Sequence, residues 1–198
     1  MLPRFILYTD EYMIDYRQHI NAERILQDGW ELFQRKGYLG VTMDEICLSC
    51  GISKPTLYYY FKNKENLFVE VLLRRLQGFR MAVEQEGDLV DRLACFAVVV
   101  FNSFQKDYSL LMRDLEHIKT PENVRRVSDA FSIELFQPVS ALMQLAVESG
   151  QLSGDAKFLT HLFLGIIQSY IARGQDYDLD QLSLAKKLVA FFLQGASS

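Results

Sequence analysis

Apolar residues return every three or four positions through nearly the whole chain, and no stretch keeps the two-residue alternation of a half-buried strand. A chain with that single period can bury its apolar stripes only by packing helix on helix. The fold expected is therefore all-α, with about nine helices. Enough core is available, since 49% of the 198 residues are hydrophobic. Four prolines and eleven glycines are few, and no low-complexity tract interrupts the pattern.

The local punctuation places the helices. The first runs from about Asp15 to Lys36, with Ile25, Leu26, Gly29, Leu32 and Phe33 on one face and Gly37 as its stop. Thr42-Met43-Asp44-Glu45 reads as a capping box that opens a short second helix, ending near Ser49. Gly51 permits a tight turn. Ser53 caps a third helix, Lys54 to about Tyr60, whose first turn tolerates Pro55 because its N–H groups have no helical partner there. Asn63 caps a long fourth helix to about Glu84. The fifth follows Gly87-Asp88, the sixth spans Leu110 to Ile118, and the seventh runs from Pro121 to Glu148 with a kink expected at Pro138. The eighth runs from Asp155 to Arg173, stopping at Gly174, and the ninth from about Asp178 to Gln194. The organisation expected is an N-terminal extension at 1–15, a helix-turn-helix domain at 16–70 and a helical regulatory core at 71–198. Met13 is an alternative start to Met1.

Short helix, glycine turn and second short helix at this spacing make a helix-turn-helix, whose second helix enters the major groove of double-stranded DNA. The net charge of -4 argues against nucleic acid only as a global number. From Ser49 to Lys64 there are three lysines, Lys54, Lys62 and Lys64, and no acid. A local basic patch is what phosphate attraction requires. Leu57 should point into the domain, and Lys54 and Thr56 toward base edges. The hydroxyls of Tyr59 and Tyr60 should reach phosphates, with Lys62 and Lys64 beside them. Tyr58 reads equally as a partly buried residue.

The residues from Arg24-Ile25-Leu26 through Leu32-Phe33, Gly37-Tyr38, Thr42-Met43 and Ile46 to the run Gly51–Phe68 resemble the N-terminal domain of the tetracycline-repressor (TetR) family of transcriptional regulators. The resemblance covers about residues 17–70. It implies a homodimer whose first three helices bind DNA, a fourth that links them to a ligand-binding core, and a dimer interface of the last two helices. It carries DNA contact to Thr42, Lys54, Thr56, Tyr58, Tyr59, Tyr60 and Lys64. Pro55 departs from the pattern, standing where a small residue is usual and the backbone approaches bases. Cys50 stands where alanine is usual.

The resemblance also implies an effector site between helices four and seven. The candidate lining residues are Phe96, Phe101, Phe104, Tyr108, Met112, Arg113, His117, Phe131 and Met143. Scarce charge on these faces suggests an apolar or aromatic small molecule. The apolar faces Phe158, Leu162, Phe163, Ile166, Ile167, Tyr170 and Leu182, Leu188, Val189, Phe192 are the expected self-association surface.

Other chemistries find little footing. Three cysteines and no signal-type N-terminus fit a reducing cytoplasm. The longest purely apolar stretch, Ala94 to Phe101, is far short of a membrane span, so no membrane is expected. Cys47 and Cys50 form a C-x-x-C, but no second pair or nearby histidine completes a zinc site, and buried cysteine is commonly a small hydrophobe. His19, His117 and His161 share no ligand spacing. No nucleophile motif or phosphate loop points to an enzyme, and no cofactor or metal is expected. The expectation is a ligand-responsive repressor on a palindromic operator. The alternative is an effector-independent DNA-binding protein controlled by a protein partner.

Overall fold

The computed structural model describes the backbone of residues 10–104, 108–171 and 179–196, and their side chains from residue 22 onward except at 108–110. These residues form α1 (Asp10–Gly40), α2 (Met43–Cys50), α3 (Lys54–Tyr60), α4 (Lys64–Leu76), α5 (Phe79–Glu84), α6 (Leu89–Ser103), α7 (Tyr108–Asp114), α8 (Pro121–Phe131), α9 (Gln137–Glu148), α10 (Ala156–Ile171) and α11 (Gln181–Ala196). A 3₁₀ turn, Leu115–His117, follows α7, and a π turn, Ser132–Phe136, joins α8 to α9. No strand occurs among the described residues. The apolar run Phe5–Tyr8 and the expected stop at Arg173-Gly174 lie outside them.

The chain divides into two compact units, the first ending at Val71 and the second beginning at Leu72. In the first, Ile25, Phe33, Val41, Ile46, Leu57, Leu67 and Phe68 are buried together. Phe68 anchors this core, its ring 4.9 Å from Phe33 and 5.1 Å from Tyr38, edge-on and tilted respectively. Gly29 lets α1 approach closely, because a Cβ there would already touch the Val71 side chain at 3.4 Å. In the second unit, α6 is the central element, packed by α5 and α11, and α9 packs on α10. Phe96, Phe79 and Phe163 are fully buried there. Each such side chain contributes about 1.5–3 kcal/mol by burial. Among the described residues of the second unit the one deeply buried hydroxyl, Thr160, donates to the Ala156 carbonyl at 2.7 Å.

The helices differ from the sequence reading at several points. Gly37, the expected stop, is a non-helical residue (φ 71°) inside α1, which runs on to Gly40. The sixth helix expected at Leu110–Ile118 is α7 followed by the 3₁₀ turn. Helix α1 begins at Asp10 rather than Asp15. Five extra residues are little more than one turn, too short for a period to show. The long fourth helix is broken at Gly78, whose φ of 104° is open to a residue without Cβ. Phe68, Leu72, Leu76, Phe79 and Val83 keep the helical spacing across that break, which hid it. The irregularity expected at Pro138 is the π turn just before it. Proline has no N–H to donate to the carbonyl four residues back, and its ring crowds that carbonyl, so the preceding turn widens.

Candidate nucleic-acid interface

Local chemistry sets the helix-turn-helix. The Thr42 hydroxyl accepts from the Glu45 N–H at 3.2 Å, and the Glu45 carboxylate accepts from the Thr42 N–H at 2.9 Å. Glu45 also pairs with Lys36 on α1. These contacts, the Lys36 hydrogen bond foremost and the Thr42 N–H next, hold its carboxyl down at about 2. Gly51 closes α2 with φ 62° and ψ 37°, the left-handed turn that sends the chain into α3. Ser53 then caps α3, accepting from the Thr56 N–H at 3.3 Å.

Helix α3 seats itself by Leu57, which is completely buried, and by Phe61 at its end. The opposite side faces outward. Tyr59 is 72% exposed and Tyr58 46%, and Lys54, Pro55 and Lys62 are exposed as well. Tyr60 and Thr56 are half-buried. The Tyr60 ring meets Tyr59 edge-on at 5.3 Å, which stiffens both. The Thr56 and Ser53 hydroxyls share a 2.8 Å hydrogen bond. Thr42 is exposed at the start of α2. One surface therefore presents three tyrosines, two lysines and Thr56 beside α3.

Two lysines are less available than their sequence suggests. Lys64 is half-buried and donates to the carbonyls of Tyr38 at 2.9 Å and Val41 at 3.0 Å, with its ammonium 4.3 Å from the centre of the Tyr38 ring. It clamps the end of α1 to the start of α4 instead of standing out toward a phosphate. Lys54 pairs with Asp44 at 2.7 Å, both ends exposed, and that partner raises its pKa. Sequence reasoning missed Asp44, because the acid-free window began at Ser49 and only the packing of α2 on α3 brings this carboxylate back. Lys62 remains exposed.

The cysteine pair faces inward, with Cys47 7% and Cys50 2% exposed. Burial first, then Asp28, pushes Cys50 up to about 12, and burial first, then Asp44, raises Cys47. Thiols so protonated are poor nucleophiles and metal ligands at neutral pH.

The second unit contains a cavity of about 200 Å³ lined by Phe96, Val100, Phe104, Phe131, Leu135, Leu164, Ile167, Gln168 and Ile171. Of the nine residues expected at an effector site, Phe96, Phe104 and Phe131 line it. Phe101 and Met143 are buried elsewhere in the core. Met112 and His117 are half-buried and Arg113 is exposed, none of them on the cavity wall; the 3₁₀ turn after α7 ends the four-residue register that paired Arg113 with His117. The Tyr108 side chain lies outside the described residues. Of the α10 wall, only Ile167 had a role in the sequence reading, on the self-association face; Leu164, Gln168 and Ile171 had none, because the effector site was expected between helices four and seven.

The expected self-association surface divides in the same way. Phe163, Ile167, Leu188, Val189 and Phe192 are buried in the chain's own core, which leaves them no surface for a second copy. Phe158 (64%), Leu162 (45%) and Leu182 (50%) are exposed, and Ile166 and Tyr170 are half-buried. Phe191, not expected, is 74% exposed. At 3.6 residues per turn, Phe158, Leu162 and Ile166 form one stripe along α10, and the cavity-lining Leu164, Ile167, Gln168 and Ile171 lie on the other side.

Residues 25–71 match the family model described as bacterial regulatory proteins, tetR family. The chain is 40% identical over 178 residues to the HTH-type transcriptional regulator UidR of Escherichia coli (strain K12), covering 87% of each chain. It is 23% identical over 199 residues to the HTH-type transcriptional repressor NemR of the same strain, covering 90% of this chain and 98% of that one. The crystal structure of the transcriptional regulator FadR from Bacillus subtilis, in complex with stearoyl-CoA, superposes with a TM-score of 0.71 at 16% identity, covering 87% and 98%.

Proposed function

This chain belongs to the tetR family of DNA-binding transcriptional regulators, and we propose that it is a ligand-responsive repressor that binds a palindromic operator as a homodimer. The observation that carries the reading is the outward surface of α3, where Lys54, Tyr58 and Tyr59 are exposed and Thr56 is half-buried while Leu57 is buried. Lys54 and Thr56, in the first turn, are the base readers. The tyrosine hydroxyls, Lys62 and Thr42 hold phosphates, which fix register without carrying sequence information. Lys64 acts by holding α4 against α1. The exposed stripe of α10 supports self-association, with Leu182 and Phe191 on α11 beside it in sequence order, and the cavity supports a small effector. NemR is named a repressor and FadR was crystallised with an acyl-CoA, which favours both halves of the reading. The site of action is the cytoplasm, and no catalytic step is required.

The mechanism is a shift between two populations of the dimer. One spaces its α3 helices to match successive major grooves, about 34–36 Å apart, and the effector favours the other. The experiment is selection of duplexes from a random pool by the purified protein, followed by light scattering of the complex. A two-fold symmetric consensus bound by a dimer is the expected result. Recovery of no consensus, or a monomer at micromolar concentration, overturns the reading. Selection that succeeds with no small molecule able to alter it would favour the partner-controlled alternative.

A further inference from the structure

Resting on the reading of the second unit's cavity as the effector site, we propose that its ligand is an uncharged molecule built on a single ring, bearing one hydrogen-bonding group that meets Gln168. Three observations converge on this class.

The first is size. An apolar cavity of about 150 Å³ accepts benzene. At about 200 Å³, this one has room for one ring and a small substituent, and most of a long acyl chain would lie outside it.

The second is polarity. Among the described residues, no lysine, arginine, histidine, aspartate or glutamate lines the cavity, and Gln168 supplies the only polar side chain. A carboxylate or phosphate placed inside would lose its water and find no countercharge. Gln168 is solvent-exposed, whereas Phe96, Val100 and Phe104 are buried. Among the described residues the cavity thus has an apolar floor and one polar contact, Gln168, on its open side, which orients a ligand with one hydroxyl or carbonyl.

The third is the floor itself. Phe79 is fully buried and lies edge-on to Phe96 at 6.3 Å and to Phe104 at 5.8 Å. Both floor rings are therefore held before any ligand arrives. Fixed aromatic rings favour an edge or offset face of another ring beyond the area buried. An aliphatic ligand of equal volume gains the area alone.

Calorimetry on the full chain tests the class with p-cresol, toluene, benzoate and octanoyl-CoA. The expected order is p-cresol tightest, toluene several-fold weaker, and benzoate and octanoyl-CoA at least ten-fold weaker. Gln168→Leu should bring p-cresol down to the level of toluene without changing toluene; its exposed position leaves folding intact. Leu164→Phe, at the half-buried wall, should weaken both rings. Benzoate or octanoyl-CoA binding as tightly as p-cresol overturns the proposal, as does binding of none of the four by protein that still binds its selected duplex. The duplex separates the two claims. Ring binding in the expected order with unchanged DNA affinity upholds the ligand class and overturns the regulatory reading alone. Failure to bind DNA without ligand likewise falls on the proposed function and leaves the ligand class standing.

Discussion

Both units of this chain bury an apolar core, but the surface proposed to meet DNA and the cavity are shaped by different means. The first unit, up to Val71, is organised by polar contacts between residues three or four apart: the Thr42–Glu45 box, the Ser53 cap, the left-handed Gly51 and the Asn63 cap at 2.8 Å. The second depends on apolar burial between helices distant in sequence, with α6 against α11 and α9 against α10, and aromatic rings in chains from Phe104 through Phe79 and Phe96 to Phe163 and Phe192. Local polar rules fix where a helix starts and points. Non-local packing fixes which of several apolar faces is inside. Surfaces that must be presented precisely to DNA are built by the first means, and an apolar cavity can only be left by the second.

Core truncations give the largest effect and put that contrast at most risk. Phe163→Ala should cost about 4 kcal/mol and Leu57→Ala about 3 kcal/mol. If the units keep separate cores, Phe163→Ala should abolish ring binding in the cavity and Leu57→Ala should abolish DNA binding, each sparing the other activity. Urea unfolding followed by both probes checks this, and a single coincident transition for both variants would break the contrast.

Lys64→Ala comes next. Its two hydrogen bonds to carbonyls are charge-assisted, so stability should fall by about 1.5 kcal/mol. The salt dependence of DNA binding should be unchanged. Lys62→Ala should do the reverse, leaving stability alone and reducing the slope of log K against log salt by about 0.9 per protomer. Paired salt titrations and thermal melts separate them; a Lys64→Ala slope reduced like that of Lys62→Ala would return Lys64 to phosphate contact.

Ser53→Ala should cost about 1 kcal/mol by removing the cap of α3. Weakened operator binding is the functional readout, since Lys54 and Thr56 lie in the turn that the cap holds. An unchanged melting midpoint would show that Leu57 alone secures this helix.

The smallest effect is a titration. The folded Glu45 carboxyl is depressed from 4.5 to about 2. A depressed acid contributes its stabilisation above its unfolded value, and that contribution is lost as pH falls from about 4.5 toward about 2. Carboxyl NMR should give a Glu45 midpoint far below that of an ordinary glutamate. A midpoint near 4.5 would mean that the capping box and the Lys36 pair are not formed together in solution.

The same contrast explains what could be read from sequence. Thr42, Gly51, Ser53 and Leu57 declare their roles through neighbours within one or two turns. Asp44 could not be placed beside Lys54, nor Lys64 under Tyr38, because those distances depend on how α2 and α4 pack against other helices. In the second unit, α10 carries apolar residues on two sides, and sequence offers no means of deciding which side faces inward. Phe163 and Ile167, assigned to self-association, are core for that reason, and Leu188, Val189 and Phe192 of α11 are core as well. Gly78 was passed over because an apolar spacing can continue through a left-handed glycine.

Helix α10 has one side on the cavity and its exposed stripe on the other, and this has an evolutionary consequence. On the proposed reading, substitutions at Leu164, Gln168 or Ile171 would change what the cavity accepts, whereas changes at Phe158 or Leu162 would alter which chains can pair. After gene duplication, two copies in one cell could part company by pairing first, then diverge in the compound each answers to, without producing mixed dimers. A helix with two separately editable sides lets a regulator acquire a new signal while keeping its own identity among its siblings.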